Sequence, residues 1–293
     1  MVNSIALSEN PFKIDGQPKG MFITDFDGTL LRSDRSLAAE DINALERLGA
    51  RDIVRVIATG RSMHSFNRVA VDNLPVEFVI FSTGAGICRH PSGNICRKCM
   101  LEPHEVKRAG EVLTKARLDF MIHFPIPDNH KFAYVVVDRK NADFERRRSL
   151  YSDFCRPLHE AVHEFGPATQ LLAVVSGQNG VPTLEMIRRQ LPELNVIHTT
   201  SPLDGKSTWI EIFPAHVSKS QTASWLAEKL DIDRKQIVSV GNDYNDLDLL
   251  VWSESSYVVA NAPAALKTQF PVVASNNDGG IAEAVDRWLA TRA

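Results

Sequence analysis

The chain is poor in cysteine, carries no excess of basic charge and has no long apolar run, and each shortage narrows what it can be. Four cysteines, Cys88, Cys96, Cys99 and Cys155, are spread too unevenly through 293 residues for a disulfide framework. Reduced thiols in a reducing compartment are therefore expected. A formal net charge of −3 sets up no basic field to draw in nucleic acid or an anionic membrane, so any phosphate must be met by local groups. No stretch reaches the roughly 20 apolar residues of a membrane helix, and residues 1–16 lack a basic segment followed by an apolar one. Internal repeats and low-complexity segments are missing as well. These absences predict a soluble, cytoplasmic protein with no nucleic-acid or membrane partner, and they leave the oligomeric state open.

One cluster of soft ligands needs weighing. Cys88, His90, Cys96 and Cys99 include a Cys-x-x-Cys, and four nitrogen and sulfur atoms so close in sequence can hold zinc. Between them, Pro91-Ser92-Gly93-Asn94 reads as the turn of a hairpin. A two-residue loop at Ser92-Gly93 pairs Cys88 with Arg97, and strand alternation then puts Cys96 on the opposite face from Cys88, His90 and Cys99. The pattern argues against a zinc site.

What the chain does have is apolar residues, 44% of the total, enough for one large or two medium cores. Their spacing predicts strands at 19–25, 51–58 and 76–81, with a helix at 37–48. Strands alternating with helices imply a parallel sheet covered on both faces. The rhythm then breaks into a hairpin, a helix at 103–118, a strand at 132–137, a helix around 143–154, an apolar run at 171–175, a helix at 183–190 and a strand at 196–200. It resumes with a strand at 209–213, a helix at 219–230, a strand at 237–240, a helix after Asp246, a strand at 257–259 and a helix at 280–289. The expected fold is α/β: a Rossmann-like parallel-sheet core made of 1–85 and 203–293, interrupted by an inserted α+β domain at 86–202.

Four segments carry chemistry, each at the end of an expected strand. Asp25-Phe26-Asp27-Gly28-Thr29-Leu30 puts two carboxylates at the carboxyl edge of the sheet, where ligands bind in such folds. They need a counter-charge there, and Mg²⁺ supplies one, because it takes carboxylates, waters and phosphate oxygens together. Alone, Asp-x-Asp-Gly also fits an ordinary acidic turn. Ala58-Thr59-Gly60-Arg61 opens a helix, so the Thr59 hydroxyl and the backbone N–H groups near Gly60 can hold a phosphate, although Thr-Gly before a helix is often only a cap. Lys219 enters another helix after Pro214-Ala215-His216-Val217-Ser218; a lysine there is commonly solvated surface, yet a fixed cation suits a transferring phosphoryl group. Gly241-Asn242-Asp243-Tyr244-Asn245-Asp246 offers several hard oxygens, or simply a loop and a helix cap.

In this order the four segments resemble the four motifs of the haloacid dehalogenase superfamily, most closely its Cof-type, class IIB sugar-phosphate phosphatases. Phe81-Ser82-Thr83-Gly84-Ala85 looks like that family's segment leading into its cap, and Asn261-Ala262-Pro263 and Ser275-Asn276-Asn277-Asp278-Gly279-Gly280 are similar to its C-terminal stretches. The insert resembles the family's large cap in size and position only.

The resemblance implies a Mg²⁺-dependent phosphomonoesterase for small phosphorylated metabolites, with Asp25 as nucleophile and Asp27 as general acid and base. Thr59, Gly60, Lys219 and Asn245 would bind phosphoryl oxygens. The metal would face Asp25, the Asp27 carbonyl, Asn242 and Asp246, with Asp243 the alternative to Asn242. Two positions depart from the family: Asn242 stands where an aspartate is usual, and Thr83 where an asparagine is usual. A phosphotransferase or phosphomutase, and a sugar-phosphate-binding regulatory protein with little turnover, are the competing readings. The leaving group of the ester is not legible, because it would face the insert.

Overall fold

The strand Gly20–Thr24 is buried along its whole length, as apolar runs are when both faces of a parallel sheet are covered. The computed structural model describes residues 11–14, 16–69, 74–137 and 140–292. In it this strand pairs in parallel with Ile53–Ala58 on one side and Ile237–Gly241 on the other. Phe78–Phe81 continues the sheet beyond the first neighbour, and Ser255–Val259 and Val272–Val273 beyond the second, all parallel. Helices Ala39–Gly49 and Gly280–Ala290 cover one face, where Phe22, Ile57 and Val79 meet Leu45, Leu48, Val285 and Trp288. Helices Lys219–Lys229 and Leu247–Trp252 cover the other, where Met21, Ile23 and Val56 meet Ala223, Leu226 and Leu249. Because the chain leaves Gly20–Thr24 first to one side and later returns on the other, the carboxyl end of that strand lies at a switch point, where side chains from several loops converge.

A second sheet has six strands in the order Leu194–Thr200, Thr208–Pro214, Gln170–Val175, Asp119–His123, Phe132–Val135, Cys155–Pro157. All pair antiparallel except the last two. Helices Pro103–Lys115 and Gly180–Gln190 pack on one face, and Ala142–Leu150 packs on the other through Phe144.

Sheet membership corrects the expected boundaries at both ends. The hairpin Gly86–Arg89 and Ile95–Lys98, expected to open the insert, instead extends the first sheet antiparallel to Phe78–Phe81. Thr208–Pro214, expected in the core, runs through the middle of the second sheet. Its apolar run suits either sheet; what decides is seven consecutive antiparallel pairs with Leu194–Thr200, from Leu194 with Pro214 to Thr200 with Thr208. The hairpin register also differs. Cys88 faces Ile95, and the register shifts between Ile87 and Cys88, because Arg89 and Gly93 close a longer loop through the Arg89 N–H to Asn94 and the Gly93 N–H to Arg89. The alternation nevertheless holds: Cys88 and Cys99 pack on one face of the sheet and Cys96 on the other.

The two sheets touch beside the carboxyl end of Gly20–Thr24. Thr83 donates to Glu211 Oε2 at 3.0 Å, Asn129 Nδ2 to the Ser82 hydroxyl at 2.7 Å, and both the N–H and the hydroxyl of Thr200 to Asp243 at 2.8 Å. Between Thr83 and the helix bearing Lys219 the backbones approach so closely that only glycine fits. Gly84 has φ +105°, and a Cβ there would stand 2.2 Å from the Ser218 carbonyl oxygen. Gly84→Ala should therefore destabilise the fold by at least about 2 kcal/mol, from a strained φ plus a backbone clash. Chemical denaturation checks this; a change below about 0.5 kcal/mol would show that the two backbones are not held together.

Candidate active site

The Asp25 N–H still belongs to the ladder, donating to the Val240 carbonyl at 2.9 Å, so the side chain leaves the sheet in a fixed direction. Its Oδ1 lies 2.7 Å from Lys219 Nζ, and its Oδ2 accepts from the Thr29 hydroxyl at 3.3 Å. Lys219 is fully buried and donates also to Asp246 Oδ1 at 2.6 Å. The sequence places it there by a simple device: Ser218 caps the helix, accepting from the Gln221 N–H, and Lys219 is the first residue inside. Burial raises the Asp25 carboxyl to about 7, the charge of Asp246 adds to the rise, and Lys219 opposes it. Burial alone would lower Lys219, but the charges of Asp246 and Asp25 outweigh it and raise the ammonium above its usual range.

Asp246, expected among the metal-facing oxygens, is occupied otherwise. Its Oδ1 holds Lys219, and its Oδ2 accepts the N–H groups of Asn242 and Asp243 at 2.9 and 3.1 Å. Asp243, expected as the alternative ligand, has both oxygens taken by Thr200. Asn242 is the residue that reaches the cluster. Turned with its nitrogen inward, its amide donates to Asp25 Oδ2 at 3.1 Å, to the Asp27 carbonyl at 3.2 Å and to Thr29 Oγ1 at 3.3 Å. Turned over, the amide would bring its oxygen beside Asp25 Oδ2 and the Asp27 carbonyl, hard oxygens of the kind that Mg²⁺ takes. This donor set fits Mg²⁺. Gly28, with φ +72°, lets the loop fold over Asn242, where a Cβ would come within 2.7 Å of Nδ2.

The remaining expected residues lie around this centre. Thr59 is buried, and its hydroxyl accepts from the Arg61 N–H at 3.1 Å. Gly60 faces both the Thr83 hydroxyl and the Asn245 amide: a Cβ on it would lie 3.6 and 3.8 Å from them. Asp27 sits in the fork of Arg61, with Nε to Oδ2 at 2.6 Å and Nη2 to Oδ1 at 2.7 Å, and its side chain is 43% exposed. Arg61, quoted only as the end of a Thr-Gly turn, is thus a functional neighbour that the sequence reading left without a role. Glu211 was missed altogether. Nothing in an apolar strand marks its one acid as site-facing, yet Glu211 is buried and accepts from Thr83 and Thr199. Burial raises its carboxyl, against the pull of those two hydroxyls.

A family model described as haloacid dehalogenase-like hydrolase matches residues 22–285. The chain belongs to that family. A putative phosphatase of Streptococcus pyogenes is 34% identical to this haloacid dehalogenase-like hydrolase over 270 residues, covering 90% of this chain and 96% of the relative. Among solved structures, BT1666 of Bacteroides thetaiotaomicron, described among phosphatases of the same superfamily, superposes with a TM-score of 0.75 at 18% identity and covers 98% of each chain. The subclass IIB sugar phosphatase BT4131 superposes with a TM-score of 0.72 at 16% identity, covering 92% of this chain and 99% of that one.

The raised Asp25 carboxyl has a consequence for stability. The folded hydrolase keeps this proton between about pH 3.8, the ordinary value, and about 7, whereas the unfolded chain loses it. Stability contributed by that proton is present at low pH and is lost as pH rises through about 7. In the absence of divalent cations, Asp25→Asn should therefore fold normally and melt above wild type at pH 8, by on the order of 1–3 kcal/mol, with the gap closing towards pH 4. Thermal melts in a chelator decide it: an Asn variant less stable than wild type at pH 8 would show that Lys219 needs both carboxylates.

Proposed function

We propose that this hydrolase is a Mg²⁺-dependent phosphomonoesterase that acts on small phosphorylated metabolites of the sugar-phosphate kind through an aspartyl phosphate on Asp25. The observation that carries the reading is the buried Asp25, fixed by Lys219 and facing an oxygen cluster with Asn242 at the carboxyl end of the central strand. The names of the S. pyogenes relative and of BT4131 point to phosphate esters and to sugars.

In this reading Asp25, the Asp27 carbonyl and the Asn242 amide would hold the metal. Bound there, Mg²⁺ would offset repulsion between the anionic nucleophile and the anionic ester. Asp25 attacks phosphorus, the P–O bond to the leaving group breaks, and the leaving oxygen takes a proton. Water then attacks the aspartyl phosphate, regenerating the carboxylate and releasing inorganic phosphate. Lys219 neutralises charge on the phosphoryl oxygens, and the Thr59 hydroxyl, the Gly60 backbone and the Asn245 amide bind them. Asp27 serves as proton donor and acceptor. The fork of Arg61 fixes its direction, and delivery of the proton to the leaving oxygen requires one carboxylate oxygen to turn out of that fork. The second sheet, with its flanking helices, forms the cap that excludes water and selects the leaving group.

Free phosphate should appear from p-nitrophenyl phosphate with Mg²⁺, and Asp25→Asn should lower kcat by at least about a thousandfold while the fold persists. Retention of wild-type rate by that variant would remove the nucleophile assignment, and transfer of phosphate to a second alcohol in place of water would favour the phosphotransferase reading. Asn242→Asp should tighten the apparent Mg²⁺ affinity roughly ten- to a hundredfold, since one added charge in a partly screened site is worth on the order of 1–3 kcal/mol. Asp243→Asn should leave metal affinity nearly unchanged. The opposite ranking in magnesium titrations would move the ligand role to Asp243.

A further inference from the structure

The cap carries a cation that the mechanism does not use. Arg147, on the helix Ala142–Leu150, lies over three aromatic rings, with its guanidinium carbon 4.6 Å from the centre of Trp209, 5.1 Å from Tyr151 and 5.9 Å from Phe132. Its Nε is enclosed and has no hydrogen-bond partner among the described residues. Among the described residues, Glu211 and Asp143 act on its charge, but their hydrogen bonds go to other partners. Asp143 accepts from the Ser201 hydroxyl at 2.9 Å and from Trp209 Nε1 at 2.7 Å, while Glu211 Oε2 holds Thr83 and Thr199. Aromatic faces attract a guanidinium but do not neutralise it or accept its in-plane N–H groups.

This cation borders the reaction centre. Trp209, under the guanidinium, lies two residues from Glu211 on the same strand, and Glu211 accepts from the Thr83 hydroxyl, which faces Gly60 of the phosphate-binding turn. A leaving group extending from the phosphoryl site towards the cap therefore meets Arg147. Beside it stands His123, whose Nδ1 is 2.8 Å from the Asn129 carbonyl and whose buried Nε2 has no partner among the described residues. Burial, with the Arg147 charge adding, holds this imidazole down to about 3. It is neutral at working pH: Nδ1 keeps the proton for Asn129, and Nε2 offers a bare lone pair to a hydroxyl.

We propose that Arg147 is a specificity-determining residue that binds a second anionic group, a carboxylate or a second phosphate, on the leaving group of the ester. Its planar fork suits either anion, which supplies the in-plane acceptors that the surrounding rings do not. His123 Nε2 accepts from a neighbouring hydroxyl. The substrate class is thus narrowed from sugar phosphates in general to hydroxylated phosphate esters with an anionic far end, an inference that rests on the phosphomonoesterase reading above.

One carbon skeleton with three different ends tests it. Sorbitol 6-phosphate ends in a hydroxyl, 6-phosphogluconate in a carboxylate and sorbitol 1,6-bisphosphate in a phosphate. Phosphate release at fixed Mg²⁺ should favour one or both anionic ends by about 10- to 100-fold in kcat/KM, mostly through KM, as expected for charge-assisted hydrogen bonds. Which anion wins identifies the source. Arg147→Gln should erase the preference and Arg147→Lys restore part of it, while turnover of p-nitrophenyl phosphate stays within about threefold of wild type. Equal rates on all three compounds, a preference for the hydroxyl end, or a preference that survives Arg147→Gln would overturn the proposal. Should both variants fail to fold, the wild-type ranking alone decides. Should p-nitrophenyl phosphate and all three compounds release no phosphate, the phosphomonoesterase reading fails, and the Kd ranking of the three compounds on the Asp25→Asn chain, with and without Arg147→Gln, still judges Arg147.

Discussion

A single ammonium held between two buried carboxylates organises this molecule. Lys219 is fully enclosed and touches Asp25, just past the central strand, and Asp246 on the loop that follows Ile237–Gly241. An unpaired charge at that depth is strongly unfavourable, so the helix, the strand and the loop are tied to one mutual arrangement. The close approach at Gly84 follows from the same constraint, because the helix start that delivers Lys219 presses its Ser218 carbonyl onto the loop between the sheets. Asp246 is drawn fully into this support. With one oxygen on Lys219 and the other on two backbone N–H groups, it positions the lysine and the Asn242 backbone.

Most of the first sheet was legible because its signals are local. Gly20–Thr24, Ile53–Ala58 and Ile237–Gly241 are apolar runs of strand length, each ending in the polar segment that builds the site. The two errors in the boundaries have one cause. An apolar strand such as Thr208–Pro214 records that it is buried but not beside what, and its place in the second sheet depends on pairing with Leu194–Thr200. The strand Asp119–His123 was not assigned at all, since its mixed residues carry no clean alternation, although all five are buried.

The same division runs through the site. Asp25, Asp27, Thr59, Gly60, Lys219, Asn242 and Asn245 stand out in the sequence because each belongs to a short motif that follows an apolar run of strand length. Their partners were not legible, because partnership is a long-range fact. Asp27 meets Arg61 across 34 positions, Thr83 meets Glu211 across 128, and Asp243 meets Thr200 across 43. Asp243 shows how this changes a role: read locally it is a spare metal ligand, whereas in the fold it is a strut between the two sheets.

The amide at position 242 gives the pocket a neutral donor among acceptors. Its nitrogen bridges Asp25 Oδ2, the Asp27 carbonyl and Thr29 Oγ1 by hydrogen bonds. A carboxylate at that position has no proton to share and would set like charges against each other. The loop after Ile237–Gly241 is thus fastened to the turn at Gly28 by the protein's own hydrogen bonds, so this edge of the pocket keeps its shape without an outside charge.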